Sequence, residues 1–342
     1  MSNLGWLFYK DYFKGIDYAD FENSNNKDII QSKVKNLISQ TVTSGDDEKL
    51  GNIHFKATTT YPGLILGSGN AHELPSIEGQ AILGFSFDYT SGLPVIAGSS
   101  VKGVLGSAFK HPEYIIELLK IMGVGGFSPE QIAKLETEIF DNGDIFFDAV
   151  VTTNGKILAD DFLTPHGDNP LKNPKPLRFI KVAPNVSFRF DFELGDGLMS
   201  TETKAILFAN ILSDLGIGAK TNVGYGKFSS DLVSRAKLAI ESQKEEELKQ
   251  DKEREEKEKA DSEAEALASL DSNVEKIKIK IKDLTKKDTK DIYDIVVTYE
   301  LDDSEKKELI SHLMTHIGEK PAPKKKAPIK WAIRLYEILG HL

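Results

Sequence analysis

The stretch that decides the fold is rich in glycine and reads Gly218-Ala219-Lys220-Thr221-Asn222-Val223-Gly224-Tyr225-Gly226-Lys227-Phe228. It follows residues 201–215, where apolar side chains recur at helical spacing, and Gly216 stands where a helix normally ends. A short strand-like run around Phe228 comes next. Because glycine has no Cβ, such a loop can bring backbone N–H groups close to a phosphate, while lysine adds charge and tyrosine adds a stacking face.

This loop is not a nucleotide-binding P-loop. That motif requires a glycine directly before the lysine, a second glycine five residues earlier, and a strand followed by a helix. Here Ala219 precedes Lys220, Asp214 takes the position of the other glycine, and the order of elements is reversed. No complete G-x-G-x-x-G follows a predicted strand, so the dinucleotide-binding fingerprint fails as well.

A second motif starts a helix and reads Gly98-Ser99-Ser100-Val101-Lys102-Gly103. We expect Ser99 or Ser100 to cap this helix. A helix N-terminus with free N–H groups favours an anion, and Lys102 in the first turn is slightly unfavourable for the helix dipole, which indicates an anion from outside. The competing interpretation is a glycine-packed helix that does no more than pack against a sheet.

Together these motifs resemble the RAMP superfamily of CRISPR proteins. Residues 98–103 are similar to its G-S-S-hydrophobic-K-G helix start, and residues 218–228 to its C-terminal glycine-rich loop. Residues 58–69 resemble its N-terminal strand and glycine turn. Residues 161–182, which include Thr164-Pro165-His166, resemble the sixth Cmr subunit of type III-B effectors. The resemblance covers roughly residues 1–235.

The alternation of predicted strands and helices fits an α+β fold. We predict strands over residues 52–60, 82–89, 144–152 and 187–194, the last with Phe188, Phe190 and Phe192 on one face. We predict helices over residues 26–40, 101–109, 112–121, 128–140 and 201–215. The resemblance implies a ferredoxin-like, RRM-related RAMP fold with insertions.

The chain divides into three predicted parts: a RAMP domain over residues 1–235, a charged helical linker over 236–266, and a small, mostly helical C-terminal domain over 267–342. Between Glu241 and Glu265 there are twelve acidic and six basic residues. This segment has i,i+4 ion pairs but no apolar seam, so it reads as a solvated spacer. For the C-terminal part we expect a role in docking a peptide or a protein.

Composition narrows the class of protein further. With 342 residues the chain is long enough for a large core and two units, and it contains no cysteine. The absence of cysteine excludes a disulfide scaffold and thiolate chemistry, and fits a reducing cytoplasm. No apolar run approaches a membrane span, and the N-terminus lacks signal-peptide features. The net charge of −10 argues against a generally basic nucleic-acid coat, but not against a local basic groove.

An irregular insertion occupies residues 160–182. Its four prolines keep it extended and out of a central sheet. Its four basic residues are suited to line a nucleic-acid channel. These are Lys172, Lys175, Arg178 and Lys181. The competing interpretation is a solvated loop.

The sequence offers few candidates for catalysis among its seven histidines. His54 could be a general base for metal-free RNA cleavage, although a packed or hydrogen-bonded strand histidine is the favoured interpretation. His166 is expected to be structural or to contact RNA. His312 and His316 have metal-ligand spacing, but Leu313 stands where the zinc-protease motif needs glutamate. The adjacent Asp160 and Asp161 are a weak signal for Mg²⁺.

The resemblance implies a non-catalytic RNA-binding subunit of a type III-B CRISPR (Cmr) antiviral ribonucleoprotein, without metal or cofactor. Its implied partners are guide RNA (crRNA), target RNA, a backbone RAMP subunit and the helical small subunit, with no membrane. It would bind the 3′ part of the guide and cap the backbone filament. The predicted RNA-binding residues are Gly67, Ser68, Ser99, Ser100, Lys102, His166, Lys172, Lys175, Arg178, Lys220, Thr221, Asn222, Gly224, Tyr225, Gly226 and Lys227.

Three alternatives remain open. The chain could be an endoribonuclease of the same superfamily that acts on guide precursor or target RNA, with His54 or an aspartate as its active group. It could be an assembly module that works only through protein interfaces. The acidic net charge and the C-terminal unit favour this alternative. It could also be a backbone subunit, although residues 164–166 fit the terminal subunit better.

Overall fold

The computed structural model describes residues 3–44, 49–74, 77–141, 143–164, 176–268, 272–284, 289–296 and 298–316. The chain forms two compact units, Met1–Glu246 and Glu247–Leu342. Each unit has a hydrophobic core of its own, one between Leu4 and Ile240 and one between Val274 and Leu313. The mixed helices and antiparallel strands confirm the predicted α+β class. The domain limits at 235 and 266 stay a prediction.

Within the described residues the first unit contains seven strands. These are β1 Ile53–Thr58, β2 Val95–Ile96, β3 Ile145–Phe146, β4 Ala149–Val151, β5 Leu158–Leu163, β6 Leu177–Val182 and β7 Ser187–Glu193. The main sheet is antiparallel in the order β1-β7-β4-β2, with β3 also on β7. The ferredoxin-like, RRM-related detail stays a prediction.

Strand β7 lies inside the main sheet and is buried on both faces. Its three phenylalanines, Phe188, Phe190 and Phe192, enter the core on one face, as the alternation predicted. On the other face Arg189 Nε lies 2.8 Å from Asp191 Oδ1, and both side chains are almost fully buried. Each charge offsets part of the desolvation cost of the other. The alternating pattern did not predict this buried ion pair.

The described helices are α1 Leu4–Tyr9, α2 Ser24–Ser39, α3 Gly98–Phe109, α4 Pro112–Ile121, α5 Pro129–Asp141, α6 Thr201–Leu215, α7 Leu232–Ala268, α8 Asn273–Ile281, α9 Thr289–Val296 and α10 Asp303–His316. The bounds of α4 and α6 are those predicted. A proline at N1 marks the start of α4, and the Ser200 cap and Gly216 mark the two ends of α6. Helix α1 was not predicted.

Three local predictions were wrong. The strand predicted over residues 144–152 is divided into β3 and β4. Neither Ser99 nor Ser100 caps α3, because the helix already begins at Gly98, whose N–H donates to Asp148 Oδ1 at 2.7 Å. Residues 82–89 form isolated bridges instead of a strand. The reason is that their backbone changes partners, with Gly84 N–H donating to Asn70 and Ser86 N–H to Leu66.

The outer edge of β1 is covered by the segments that follow α6. Thr60 N–H donates to Lys227 O at 3.0 Å, and Ser229 N–H donates to Thr58 O at 2.9 Å. Further along the strand, the Gln243 side chain of α7 bonds both the N–H and the C=O of His54, at 3.0 and 2.8 Å. The glycine-rich loop therefore lies at one end of a protected sheet edge.

Strands β5 and β6 form a separate antiparallel hairpin. Leu64 N–H donates to Val182 O, and Ile82 N–H donates to Arg178 O, both at 3.0 Å, which ties the hairpin to residues 64–82. Residues 165–175, just under half of the predicted insertion, lie outside the described residues. The ends of the insertion are not irregular as predicted, because residues 160–163 belong to β5 and residues 177–182 form β6.

The described part of the second unit is helical, as predicted. Its core is formed by α8, α9 and α10, with buried Val274, Ile277, Ile281, Ile292, Val296, Leu309 and Leu313. The predicted helix around Trp331 lies outside the described residues. Among the described helices, none is long and apolar enough to cross a membrane.

Candidate nucleic-acid interface

The base of the glycine-rich loop is held by backbone contacts. Gly226 N–H donates to Gly63 O at 2.8 Å, Ile217 N–H to Gly226 O at 2.9 Å, and Ala219 N–H to Ile65 O at 3.2 Å. A Cβ on Gly226 would lie 1.8 Å from Ile217 O, and the φ angle of Gly226 is +70°. Glycine is thus required at this position for close packing of backbone on backbone.

The tip of the loop has a different geometry. Lys220 adopts the left-handed conformation, with φ 60° and ψ 40°, and one turn of 3-10 helix, Thr221–Val223, follows directly. A left-handed residue next to right-handed ones turns successive N–H groups toward one concave side, which is the geometry of an anion-binding nest. Lys220 and Asn222 are exposed. The tip therefore presents backbone donors and one ammonium group to solvent.

Tyr225 points inward and does not offer the stacking face that we expected of it. Its side chain is 8% exposed, and its hydroxyl donates to Asp161 Oδ2 at 2.7 Å. Burial, together with the Asp161 carboxylate, raises the pKa of Tyr225. Lys181 Nζ approaches the same carboxylate oxygen at 2.5 Å. These three side chains connect the glycine-rich loop to the hairpin that carries the insertion.

Lys227 is also engaged within the protein. Its Nζ donates to Asp214 O at 2.5 Å, in the last turn of α6. A cation at a helix C-terminus satisfies a free carbonyl and complements the dipole. Of the predicted loop residues, Lys220, Thr221, Asn222 and Gly224 lie at or beside the tip, whereas Tyr225, Gly226 and Lys227 hold its base.

The helix start at 98–103 is satisfied by the chain itself. Asp148 supplies the carboxylate at the N-terminus of α3. Lys102 Nζ donates to Phe140 O, 2.6 Å away near the end of α5, and lies 5.9 Å from the Phe146 ring centroid. The anion that we expected from outside is thus replaced by Asp148, and Lys102 has an internal partner. Ser99 and Ser100 are exposed.

In the hairpin, the charged side chains form pairs on opposite faces. Arg178 Nη2 lies 2.6 Å from Asp160 Oδ2 on one face, and Lys181 pairs with Asp161 on the other. Neighbouring residues of a strand point apart, so the two aspartates do not face a common ion. The described residues include no group of three or more His, Asp or Glu suited to a metal. The described residues do not include three of the predicted site residues, Lys172, Lys175 and His166.

The glycine turn contributes two more predicted residues. Gly67 is exposed and has open space around its Cα, whereas Ser68 is half-buried beside Gly84. Our site prediction omitted Tyr61, which is 84% exposed. The following Pro62 approaches the position of a Cβ on Gly224 to 3.4 Å. The sequence signal that could have identified Tyr61 is an aromatic residue directly before a Pro-Gly turn.

His54 has the environment of a packed strand histidine. Burial lowers its pKa, and the nearby Lys49 ammonium lowers it further. The Asp191 carboxylate opposite it in the sheet is engaged by Arg189. His312 is half-buried on α10, and the side chain of His316 lies outside the described residues.

Comparison with known proteins identifies the family. Residues 56–229, about half of the chain, match the model of the RAMP superfamily, and the chain belongs to this superfamily. It is 31% identical over 160 residues to the CRISPR system CMR subunit Cmr6 of Saccharolobus solfataricus. That alignment covers 42% of this chain and 48% of the relative, so the chain spans about half the length of the curated relative it matches. The resemblance read from the motifs is confirmed.

Two solved structures are also similar to the chain. One is the type III-B Cmr-beta complex bound to cognate target RNA, with 22% identity, a TM-score of 0.42, and coverage of 66% of this chain and 84% of that chain. The other is Cmr6 from Pyrococcus furiosus, with 22% identity, a TM-score of 0.33, and coverage of 52% and 95%. These TM-scores are too low for an argument from superposition.

Proposed function

We propose that this protein is a non-catalytic RNA-binding subunit of a cytoplasmic type III-B Cmr effector complex, which binds the 3′ part of the guide RNA and caps the backbone filament. The observation that carries the proposal is the tip of the glycine-rich loop, where exposed Lys220 stands in a left-handed conformation before a helical turn. The similarity to the Cmr6 subunit supports the same assignment. The partners would be guide and target RNA, a backbone RAMP subunit and the helical small subunit.

The proposed mechanism is electrostatic. Backbone N–H groups around residues 220–222 would donate to one guide phosphate, and the Lys220 ammonium would neutralise it. Phosphate contacts fix register without reading bases, so guide sequence would be read by pairing with the target. Tyr225, Asp161 and Lys181 would act as positioning residues, because their contacts with one another hold the loop against the hairpin.

The test is a salt series of binding to a labelled single-stranded RNA by fluorescence anisotropy. Lys220→Gly removes the charge and suits the left-handed backbone, so it isolates the ammonium contribution. We expect about tenfold weaker binding, and a salt slope smaller by about 0.7. Lys110→Gln, at an exposed lysine after α3, changes the net charge by the same amount and should bind as the wild type. Equal affinity of Lys220→Gly and the wild type would refute the role of the tip.

Two further variants, His54→Ala and Lys220→Glu, separate the two rival functions. RNA cleaved during the binding assay, with cleavage lost in His54→Ala, would replace our proposal by an endoribonuclease. RNA binding that survives Lys220→Glu while assembly with the other Cmr subunits is lost would replace it by a protein-only assembly module.

A further inference from the structure

Several aromatic side chains in and beside the N-terminal helix are partly or fully exposed. Helix α1 buries Leu4, Leu7 and Phe8, yet leaves Trp6 47% and Tyr9 41% exposed. Trp6 and Tyr9 are three residues apart and therefore share one side of the helix. Tyr89, in the turn before β2, is 97% exposed. Large aromatic side chains contribute most when buried, so their joint exposure points to a ligand.

These side chains surround one cavity of about 640 Å³. Its lining also includes Phe87, Asp88, Lys10 and Lys14. This volume is in the range of sites that take small organic ligands, and it is large enough for a nucleotide. We call the cavity with Trp6, Tyr9, Lys10, Lys14 and Tyr89 the N-terminal aromatic site.

The walls of this site are fixed by the fold. The Tyr9 hydroxyl donates to Phe85 O, and the Tyr9 ring meets Phe87 edge-on with centroids 6.0 Å apart. The backbone N–H of Trp6 donates to Asn3 Oδ1 at 2.7 Å, which caps the helix. Gly5 N–H donates to Gly92 O at 3.3 Å and joins the helix to the Tyr89 turn. A preformed site loses less entropy on binding than a mobile one.

The charge of the site favours an anionic ligand. Lys10 and Lys14 are both exposed, and Lys14 Nζ lies 4.6 Å from the Trp6 ring centroid. The acid in the lining, Asp88, accepts a 2.6 Å hydrogen bond from Ser91 N–H within its own turn. Flat rings beside ammonium groups that are not held by a carboxylate match the two halves of a nucleotide, since a base stacks on the rings and a phosphate pairs with the cations.

We infer that the N-terminal aromatic site binds a nucleotide of single-stranded RNA. The base stacks on Trp6 or Tyr89, and the adjacent phosphate pairs with Lys10 and Lys14. The site shares no residue with the glycine-rich loop and does not depend on the proposed place in a Cmr complex. Stacking accepts any base, so the site adds affinity and direction to a bound strand with little sequence preference.

Tryptophan fluorescence tests this inference directly. The chain has two tryptophans, Trp6 and Trp331, so the full-length Trp331→Phe variant leaves Trp6 as the reporter. It is titrated with hexa-adenylate RNA at 50 mM and 200 mM salt. We expect saturable quenching of Trp6 that weakens with salt. Lys10→Glu with Lys14→Glu should weaken binding at least tenfold, and Tyr89→Ala should weaken it about fivefold.

Two controls make the outcome specific. Tyr18→Ala removes another exposed tyrosine, 54% exposed and outside the cavity lining, and should leave the quenching unchanged. Lys220→Glu should also leave it unchanged, which separates this site from the proposed loop site. Because Tyr89 is almost fully exposed, its variant will fold.

Two results would overturn the inference. One is the absence of saturable quenching up to about 1 mM RNA, a concentration equal to the Kd of a very weak complex. The other is quenching that Tyr89→Ala and the lysine variants do not alter. If those variants instead lose binding to a protein of the effector complex while RNA does not quench Trp6, the site is a protein-docking surface and the inference is wrong.

Discussion

At the scale of single residues, burial decides which lysines can reach a nucleic acid. Lys102 and Lys227 donate to carbonyl groups near helix C-termini. Lys204 is 1% exposed and donates to Asp144 Oδ2 at 3.1 Å and to Gly195 O at 2.8 Å. A buried ammonium needs such partners, because its desolvation is costly. Lys220, exposed at the loop tip, is instead available to a ligand.

The residue that joins the loop to the hairpin gives a stability prediction. Tyr225→Phe removes the hydroxyl that donates to Asp161 and leaves the ring in place. We expect the free energy of unfolding to fall by about 1–3 kcal/mol, as for a partly buried hydrogen bond to a carboxylate. Urea denaturation followed by circular dichroism measures the change.

The matched control is Tyr61→Phe, which removes a hydroxyl from a side chain that is 84% exposed and should change stability by less than about 0.5 kcal/mol. If the two variants were equally stable, the hydrogen bond between Tyr225 and Asp161 would contribute nothing to the free energy of unfolding.

At the scale of elements, the edge of β1 shows how helix α7 serves the sheet. An open strand edge invites pairing with other chains, and natural proteins cover such edges. Here the Thr58–Thr60 end pairs with residues 227–229, and the Gln243 amide occupies both backbone groups of His54. The first part of α7 is therefore a structural part of the first unit, whereas the charged stretch beyond it is exposed.

The covered edge predicts the effect of Gln243→Ala. Two backbone groups of β1 would lose their partners, and we expect a loss of about 1–2 kcal/mol together with faster aggregation on warming. Thermal unfolding and light scattering record both effects. Lys249→Ala, at an exposed position of the same helix, should behave as the wild type. Identical behaviour of both variants would contradict the role of Gln243.

At the scale of the whole molecule, two separate cores indicate two units that fold independently. The first unit buries many large side chains around β7 and α6, whereas the described part of the second unit buries seven apolar residues of α8, α9 and α10. Small cores give marginal stability, so the second unit is expected to unfold first.

This division predicts the behaviour of a chain that ends at Glu246. It should unfold in one cooperative transition, with the urea midpoint of the later transition of the full chain. Its RNA affinity should depend on Lys220 as in the intact protein. A truncated chain that aggregates or unfolds without cooperativity would show that the first unit needs the second.

The sequence by itself determined the features that depend on neighbours along the chain. The bounds of α4, the end of α6 at Gly216 and the phenylalanine alternation of β7 all depend on signals within a few residues, and each was predicted correctly. The motifs at 98–103 and 218–228 also identified the superfamily. Only the tertiary structure decided the partners of the charged and aromatic side chains.

Lys102 meets Phe140 across 38 positions and Tyr225 meets Asp161 across 64, so no local pattern encodes either contact. The N-terminal aromatic site likewise joins α1 to the turn at Tyr89, about eighty residues away. Periodicity and capping are local properties of the backbone. Whether a charge or a ring faces solvent is decided only when distant elements pack, because packing fixes which of them remain exposed.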